Sequence, residues 1–522
     1  MGLKLTIEPA IATKISKMQQ RVRWQHPALR NQGIDQTRLL IEDGRASDPD
    51  FSFLVLGDSG TGRHRRDSPQ RQVAEQLLAH GQGARFILHT GDVVYLVGSR
   101  EQYPSNFIKP YREWLVSGEE YSQIAYDRMV FQLPFLPVPG NHDYYDLPLM
   151  LGVISGLTGP LRYVLRSYLD LDVGWHGSFS GDAYARAFLD YLRAIPEAQL
   201  PAHLEQHYTS RLDGRRCLSY RPAIFTRLPN RYYRFRYGGI DFFALDSNTF
   251  NQPLPLEDSE QGRQSRQHLQ QQRQRLEVMK ADLIRRASLN TFQPLSEEDF
   301  DDLTAELEEI DEQISDLNKQ LAAAPGSAPP VDSDQLDWLR DELVLSWQTT
   351  AVRGRILFFH HPPYVTEATK WSQGQTLAVR DRLRQVLDQV AAEVGSPARG
   401  RPLVNLVLNG HAHCLEYLRT GDTGHGDAHM AWVICGGSGY SLRRQRPEGA
   451  DLQETLEGSD RTVAQSQLYL GRSGKGSSLK RPYSGLRIDV HGGSDLTLTV
   501  TPLVAEKFAG SWHGYRLEPF AV

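Results

Sequence analysis

Two aspartates, an asparagine, a tyrosine and several histidines stand in five short motifs along this 522-residue chain. The motifs are Gly57-Asp58-Ser59-Gly60, Gly91-Asp92-Val93-Val94-Tyr95, Gly140-Asn141-His142-Asp143, His360-His361-Pro362-Pro363 and Gly410-His411-Ala412-His413. Oxygen and imidazole donors suit Zn, Fe or Mn rather than Cu(I) or an iron–sulfur cluster. A carboxylate set between two such ions can bridge them at roughly 3.5–4 Å. Taken singly, a Gly-Asp pair is an ordinary turn and His-x-His an ordinary surface loop. Five in one order read as the ligands of a site for two metal ions.

Something must bring these residues together, and the runs before them say what. Phe51–Leu56, Arg85–His89, Pro134–Val138, Arg355–Phe359 and Leu403–Leu408 are apolar, rich in β-branched and aromatic residues, and closed by glycine or proline. Such runs read as buried strands. Ligands of α/β sheets gather on the loops beyond the carboxyl ends of strands. Glycine there lets the backbone turn sharply, so that the next side chain faces the site.

The set resembles the calcineurin-like metallophosphoesterase superfamily, and within it the purple acid phosphatase branch. The superfamily usually opens with Asp-x-His; here Gly60 stands in the histidine's place. The purple branch also has glycine there, and a tyrosine three residues after its bridging aspartate. Tyr95 stands three residues after Asp92. The resemblance covers roughly residues 50 to 440. It implies a first ion held by Asp58, Asp92, Tyr95 and His413, and a second held by Asp92, Asn141, His360 and His411, with Asp92 bridging. It implies that His142 contacts the substrate phosphate or protonates the leaving group. A phenolate ligand suits a ferric ion, so Fe(III) with Zn, Mn or Fe(II) is the implied pair. If Tyr95 only packs, a Mn or Zn pair is the alternative. Asp143 stands where plant members tend to have glutamate. The segments between the motifs match no member closely, so substrate identity does not transfer.

The implied chemistry is phosphoester hydrolysis, with phosphate monoesters the first expectation. Two cations would lower the pKa of a water between them, and the resulting hydroxide would attack phosphorus in line. Imidazoles that bind metal need a partner for their other nitrogen. Asp246, at the end of Phe242–Leu245, is one candidate for that role or for capping a turn; His361 and Asp143 are candidates for supporting or substrate-facing roles. A phosphodiesterase acting on nucleotides or similar diesters is the alternative within this chemistry. A metal-stabilised scaffold or binding protein is the alternative from another class.

Composition bounds the rest. The charge of −5 gives no basic footprint for nucleic acid. Three cysteines, Cys217, Cys414 and Cys435, are too few and scattered for a disulfide framework. Cys414 reads as a small buried residue rather than a ligand. No apolar run reaches the ~18 residues of a membrane span, and residues 1–32 lack a signal-peptide core, so a cytoplasmic location is expected. Ile7, Ile11, Ile15 and Met18 recur at helical spacing and should pack on the protein.

The expected fold is an α/β sandwich of two mixed sheets flanked by helices, with a helical-hairpin insertion. Residues 1–49 read as an N-terminal extension, 50–504 as the catalytic domain and 505–522 as a tail. Within the domain, 144–235 reads as a cap-like insert with helical patterns around Leu147–Leu169 and Tyr184–Leu192. Its His176, His207, Arg211, Arg215 and Arg216 could meet an anionic substrate or be solvated surface. Residues 258–325 carry a heptad seam, with Phe300, Leu303, Leu307, Ile310, Ile314, Leu317 and Leu321 in an acidic second arm. The first arm has a weaker seam (Leu269, Leu276, Met279, Leu283) and is basic. This reads as an antiparallel, charge-complementary hairpin projecting from the body, either self-satisfied or a surface for a homodimer or partner. Gly436-Gly437-Ser438-Gly439 should permit close approach to the site. Residues 441–483, with Arg443, Arg444, Arg446, Arg472 and Lys475, read as a long polar loop. Leu486–Val490 and Leu496–Val500 read as a closing hairpin.

Overall fold

In the expected strands, alternate residues serve two different cores. Phe242, Ile356, Phe358, Leu406 and Leu408 point into one hydrophobic cluster. Their neighbours Phe243, Leu357, Phe359 and Val407 point into a second. A strand buried on both faces needs no polar alternation, which is why these runs read as continuous. The computed structural model describes residues 7–61, 68–147, 177–289, 297–323, 329–398, 400–456, 459–493 and 496–522.

Among these residues the chain forms two mixed sheets packed face to face. The larger has eleven strands, in the order Asp451–Leu456, Ser459–Leu470, Leu415–Thr420, Ala431–Cys435, Leu406–Asn409, Gly354–Phe359, Ile240–Ala244, Tyr233–Tyr237, Ile34–Ile41, Arg215–Tyr220 and Ser210–Leu212. The smaller runs Ser511–Arg516, Thr497–Phe508, Lys480–His491, Phe51–Leu56, Ala84–His89 and Phe135–Pro137, with Phe520–Ala521 on Thr497–Phe508. The expected sandwich and its closing hairpin are both present.

The parallel pairings place the motifs. Val55 pairs with Leu88 and Leu88 with Leu136, so three carboxyl ends share one edge of the smaller sheet. Phe358 pairs with Ala244 and Leu408, and Leu408 with Val433, so four share one edge of the larger. Aromatic rings join the sheets: Phe53 meets Phe242 edge-on at 5.5 Å, and Phe86 meets Phe235 at 5.5 Å and Phe242 at 5.3 Å. Helices Ser333–Gln348 and Gly374–Val394 cover the outer face of the larger sheet through Leu339, Leu343, Val379 and Leu387. Helix Pro69–His80 covers the smaller through Val73 and Leu77. No helix among the described residues is long and apolar enough to cross a membrane.

Several boundaries differ from those expected. Ile34–Ile41, assigned to an extension, is a strand inside the larger sheet, parallel to both neighbours. Its polar run hid it. Arg38 is fully buried but paired with Asp35, Asp213 and Glu342, and the Gln36 amide donates to the Val22 carbonyl at 2.7 Å. The 144–235 insert is not a cap throughout, since Arg215–Tyr220 and Tyr233–Tyr237 are strands of the body. Its first helical pattern lies almost wholly, and His176 wholly, outside the described residues; the second overlaps helix Asp182–Phe188. The 441–483 segment is not a loop. Asp451–Leu456 and Ser459–Leu470 extend the larger sheet, burying Leu452, Val463 and Ala464 on one side only, as an edge does. The 505–522 tail completes the smaller sheet, with an exposed edge strand that has no apolar run to announce it. The N-terminal stripe is helix Ile11–Arg21, which buries Ile11 and Met18, while Ile7 stays outside it and 46% exposed.

Glu260–Leu289 and Glu297–Ala322 are antiparallel helices, cross-linked by Arg266 to the Leu321 carbonyl, Arg273 to Asn318 and Lys280 to Asp311. The pair does not project. Its acidic helix lies on the body, burying Ala305, Ile310, Asp316 and Leu317. Asp316 accepts from the Gly374 N–H at 2.9 Å and so caps helix Gly374–Val394. Phe300 of the seam lies among side chains outside the described set, and Met279 of the basic arm is 53% exposed.

Phe86 contacts five aromatic rings across the two sheets. Phe86→Ala should therefore cost about 3–5 kcal/mol, as large-to-small changes in packed cores do, read as a lower denaturant midpoint with an unchanged slope.

Candidate metal centre

Tight turns at the strand ends aim the candidate ligands inward. Asp58, Asp92 and His411 each sit in the left-handed region, at φ 54°, 54° and 65°. Asp and His tolerate that region better than most residues, and such conformations concentrate at functional sites. Gly60 is required where it stands: a Cβ there would lie 1.8 Å from the Val93 carbonyl oxygen. The Gly60 carbonyl accepts the Tyr95 N–H at 2.8 Å. Gly60 thus packs closely on the second motif at both Val93 and Tyr95.

The structure brings Asp58, Asp92, Tyr95, Asn141, His360, His411 and His413 into one buried cluster, none more than 7% exposed. Ligand atoms of Asp58, Asp92 and His360 all lie within 4.8 Å of one another. The Tyr95 hydroxyl is 2.9 Å from Asp58 Oδ1, 2.9 Å from Asp92 Oδ2 and 3.4 Å from His413 Nε2. Its single proton serves only one of them. His360 Nδ1 faces the Thr90 carbonyl at 2.9 Å and must donate to it. Its Nε2 then faces Asn141 Oδ1 at 2.9 Å and Asp92 Oδ2 at 3.3 Å, both acceptors. The Asn141 amide N–H is committed to the Tyr145 oxygen at 2.9 Å. Lone pairs converge from every side, and cations resolve that convergence; the donor set fits two of them.

Electrostatics agree. Burial, then the charge of Asp92, push the Asp58 carboxyl well above the carboxylate range. Burial would also raise Asp92, but the His360 and His142 imidazoles hold it below. Burial lowers the His360 imidazole, yet Asp92 and Asp58 bring it up to about 9. Burial, then Lys370 for His411 and Arg443 for His413, keep those two rings neutral. Neutral imidazole is the ligating form. His411 is the one mismatch. Lys370 Nζ at 3.1 Å and Gln375 Nε2 at 2.9 Å both donate to its Nε2, which leaves its Nδ1–H toward Asn141 Oδ1 at 3.1 Å. Ligation through Nδ1 requires the other tautomer, and hence a rearranged Lys370.

His142 is placed differently. Its backbone N–H donates to Asp92 Oδ1 at 2.8 Å, and its Nδ1 lies 2.6 Å from the Leu96 carbonyl. Nε2 is left facing the centre, 4.0 Å from Asp92 Oδ2, with the side chain 17% exposed. The other candidates hold the scaffold. Asp143 accepts from the Val93 and Gly140 N–H groups, locking the second motif to the third; burial and Asp92 raise its carboxyl to about 7. Asp246 touches no ligand imidazole. It accepts from Tyr144, Arg231 and the Asn248 N–H, capping the turn after its strand. His361 is satisfied at both nitrogens, by Ser247 and Asn251. Cys414 is buried. Arg216 bonds the Tyr208 and Leu204 carbonyls from the far edge strands of the larger sheet, and His207 stacks on Phe225.

Other residues of the site carried no signal in the sequence. Tyr440 stacks on Tyr95 with centroids 4.1 Å apart; the glycines before it give the close approach expected, Gly439 lying against the Ser59 carbonyl. His89 accepts the Gly91 N–H at 3.2 Å and bonds Ser59 Oγ at 2.9 Å. Lys370, Gln375, Glu367 and Glu312 line the His411 side and belong to no motif.

No family model and no characterised protein sequence matches the chain. Among solved structures, it is similar to a purple acid phosphatase from yellow lupin (Lupinus luteus) seeds, with TM-score 0.41 and 11% identity, over 91% of this chain and 54% of that one. It therefore spans about half the length of the lupin protein. It is similar to PhoD with TM-score 0.40 and 11% identity, over 91% and 70% of the two chains. It is also similar to the anchor in the inner membrane complex of Plasmodium, with TM-score 0.34 and 10% identity, over 90% and 89%. The functional reading rests on the site itself.

His89 yields a pH prediction. Burial lowers its pKa from 6.5 to about 3. The unfolded chain takes up a proton there that the folded chain refuses, so the neutral ring's contribution is full above pH 6.5 and is lost as pH falls toward 3. His89→Asn should flatten the dependence of Tm on pH within that window; an unchanged slope would show that His89 titrates normally.

Proposed function

We propose that this chain hydrolyses phosphoesters at a two-cation centre, with phosphate monoesters as first substrates. The observation that carries this is the meeting of Asp58, Asp92, Tyr95, Asn141, His360, His411 and His413 in one buried volume, with ligand atoms of Asp58, Asp92 and His360 within 4.8 Å of one another. Asp58, Asp92, Tyr95 and His413 would hold the first ion; Asp92, Asn141, His360 and His411 would hold the second. Bound there, the ions supply Lewis-acid charge to phosphoryl oxygens and lower the pKa of water. The five-motif resemblance supports the same assignment.

The chain's own residues supply the rest. The Thr90 and Ser441 carbonyls orient the His360 and His413 rings through Nδ1, which leaves each Nε2 free to ligate. Asp143 holds the second and third motifs in register. His142 Nε2 is the atom placed to carry a proton to a leaving ester oxygen, because Nδ1 is spent on Leu96. Tyr95 is the hard oxygen donor that would favour Fe(III) in the first position, beside Zn, Mn or Fe(II).

Purified protein loaded with Fe/Zn or with Mn should hydrolyse aryl phosphate monoesters, and Asp92→Asn should abolish turnover. His142→Ala should lower kcat by about 10²–10⁴ with bound metal unchanged. Turnover of diesters alone would overturn the monoester reading, and metal binding without turnover of either would overturn the hydrolase reading. Iron-loaded protein should absorb in the visible through a tyrosinate–iron transition that Tyr95→Phe removes; a protein that takes up only Mn or Zn would show Tyr95 to be a packing residue.

A further inference from the structure

The acidic helix Glu297–Ala322 spends its charge on the wrong partner for a self-satisfied hairpin. A basic helix lies alongside it, yet Glu308, Glu309 and Glu312 turn to the body. Glu312 pairs with Lys370, whose Nζ is 3.1 Å from His411 Nε2. Glu308 lies 3.4 Å from Arg443 and accepts from the Tyr440 hydroxyl at 3.0 Å. Glu309 lies 3.9 Å from Arg443 Nε and 3.5 Å from Arg472. The Arg443 N–H in turn donates to the His413 carbonyl at 2.9 Å. The cations therefore flank both ends of the His411–His413 motif, and carboxylates borne by an insertion hold them.

Lys370 and Arg443 are each 2% exposed. Lys370 bonds Glu312 directly, whereas Arg443 donates to the Ala305 carbonyl at 3.2 Å, meets Glu308 only at 3.4 Å and keeps a buried Nε without a hydrogen-bond partner. Nearby Glu367 is already committed to the His413 N–H at 3.1 Å and the Thr369 hydroxyl at 3.0 Å. A buried ion pair is a weak stabilising device, because desolvation offsets much of the attraction. A tetrahedral oxyanion suits an arginine fork better than a carboxylate 3.4–3.9 Å away. The helix carboxylates therefore lie beside a centre whose ligand candidates are at most 7% exposed.

Resting on the phosphoesterase reading, we propose that Lys370 and Arg443 form a subsite for a second anionic group of the substrate, best matched by a second phosphate. Glu308, Glu309 and Glu312 occupy that subsite as a built-in competitor. Substrate binding and displacement of the acidic helix are then one event.

Calorimetric binding of inorganic pyrophosphate and orthophosphate to the full-length, metal-loaded protein tests this, with hydrogen exchange of residues 297–322 as the second measurement. Pyrophosphate should bind at least about tenfold more tightly than orthophosphate, a difference of 1.4 kcal/mol, and should speed exchange in the helix. Glu308→Gln/Glu309→Gln/Glu312→Gln should tighten pyrophosphate further, while Lys370→Gln/Arg443→Gln should erase the preference. Equal binding of the two anions, or a triple variant that melts normally yet binds pyrophosphate no better, would overturn the subsite. An inactive protein that keeps the preference would sink the hydrolase reading and support the subsite. An active protein without it would do the reverse.

Discussion

Two carboxylates, an amide and three imidazoles occupy one dry volume, and the rest of the structure answers to that. Asp58, Asp92, Asn141 and His360 bring their acceptor atoms within contact distance where water cannot screen them. Such an arrangement is costly unless positive charge lies within it. The His142 and His411 backbone N–H groups, the Tyr95 hydroxyl and the His360 and His411 rings share out these acceptors, and the same buried carboxylates and imidazoles lie close enough together to hold a cation.

Holding such groups together requires a rigid frame. Two sheets supply it by aiming parallel strand ends at one place, and the aromatic seam of Phe53, Phe86, Phe235 and Phe242 fixes their spacing. The turns add local strain, with three site residues at positive φ. Backbone contacts then lock the turns to one another: the Asp143 carboxylate to Gly140 and Val93, and the Asp58 and Asp92 carboxylates to the His411 and His142 N–H groups. Asp58 and Asp92 are therefore each held by a backbone N–H from a different motif.

Charge is arranged in layers around this frame. Buried Arg38, Arg231 and Arg234 sit far from the five motifs in sequence and pair with Asp35, Asp246, Asp332, Asp241 and Glu342. These pairs make strands and loops of polar sequence compatible with a core. A second layer, Lys370, Arg443 and Arg472 against the acidic helix, borders the His411–His413 motif through Lys370 and Arg443.

Apolar runs and turn residues announced the strands that carry the five motifs, while the seven residues that meet, and the pairing of Gly60 with Tyr95, came from the resemblance those motifs carry. Those features are local: an apolar run declares a buried strand, and a turn declares where its next side chain points. Ile34–Ile41, the edge strands 451–470 and the last strands, Ser511–Arg516 and Phe520–Ala521, were not legible, because ion pairing or one-sided burial replaces hydrophobic patterning there. The heptad seam foretold two paired helices but not their seat, since the contacts that draw the acidic helix to Lys370 and Arg443 join residues more than 50 positions apart. Asp246 and His361 looked alike as candidate partners for the site, and only their tertiary neighbours showed that one caps a turn and the other is satisfied at both nitrogens. Spacing reports what one segment can do; which cation meets which carboxylate is decided when distant segments are packed side by side.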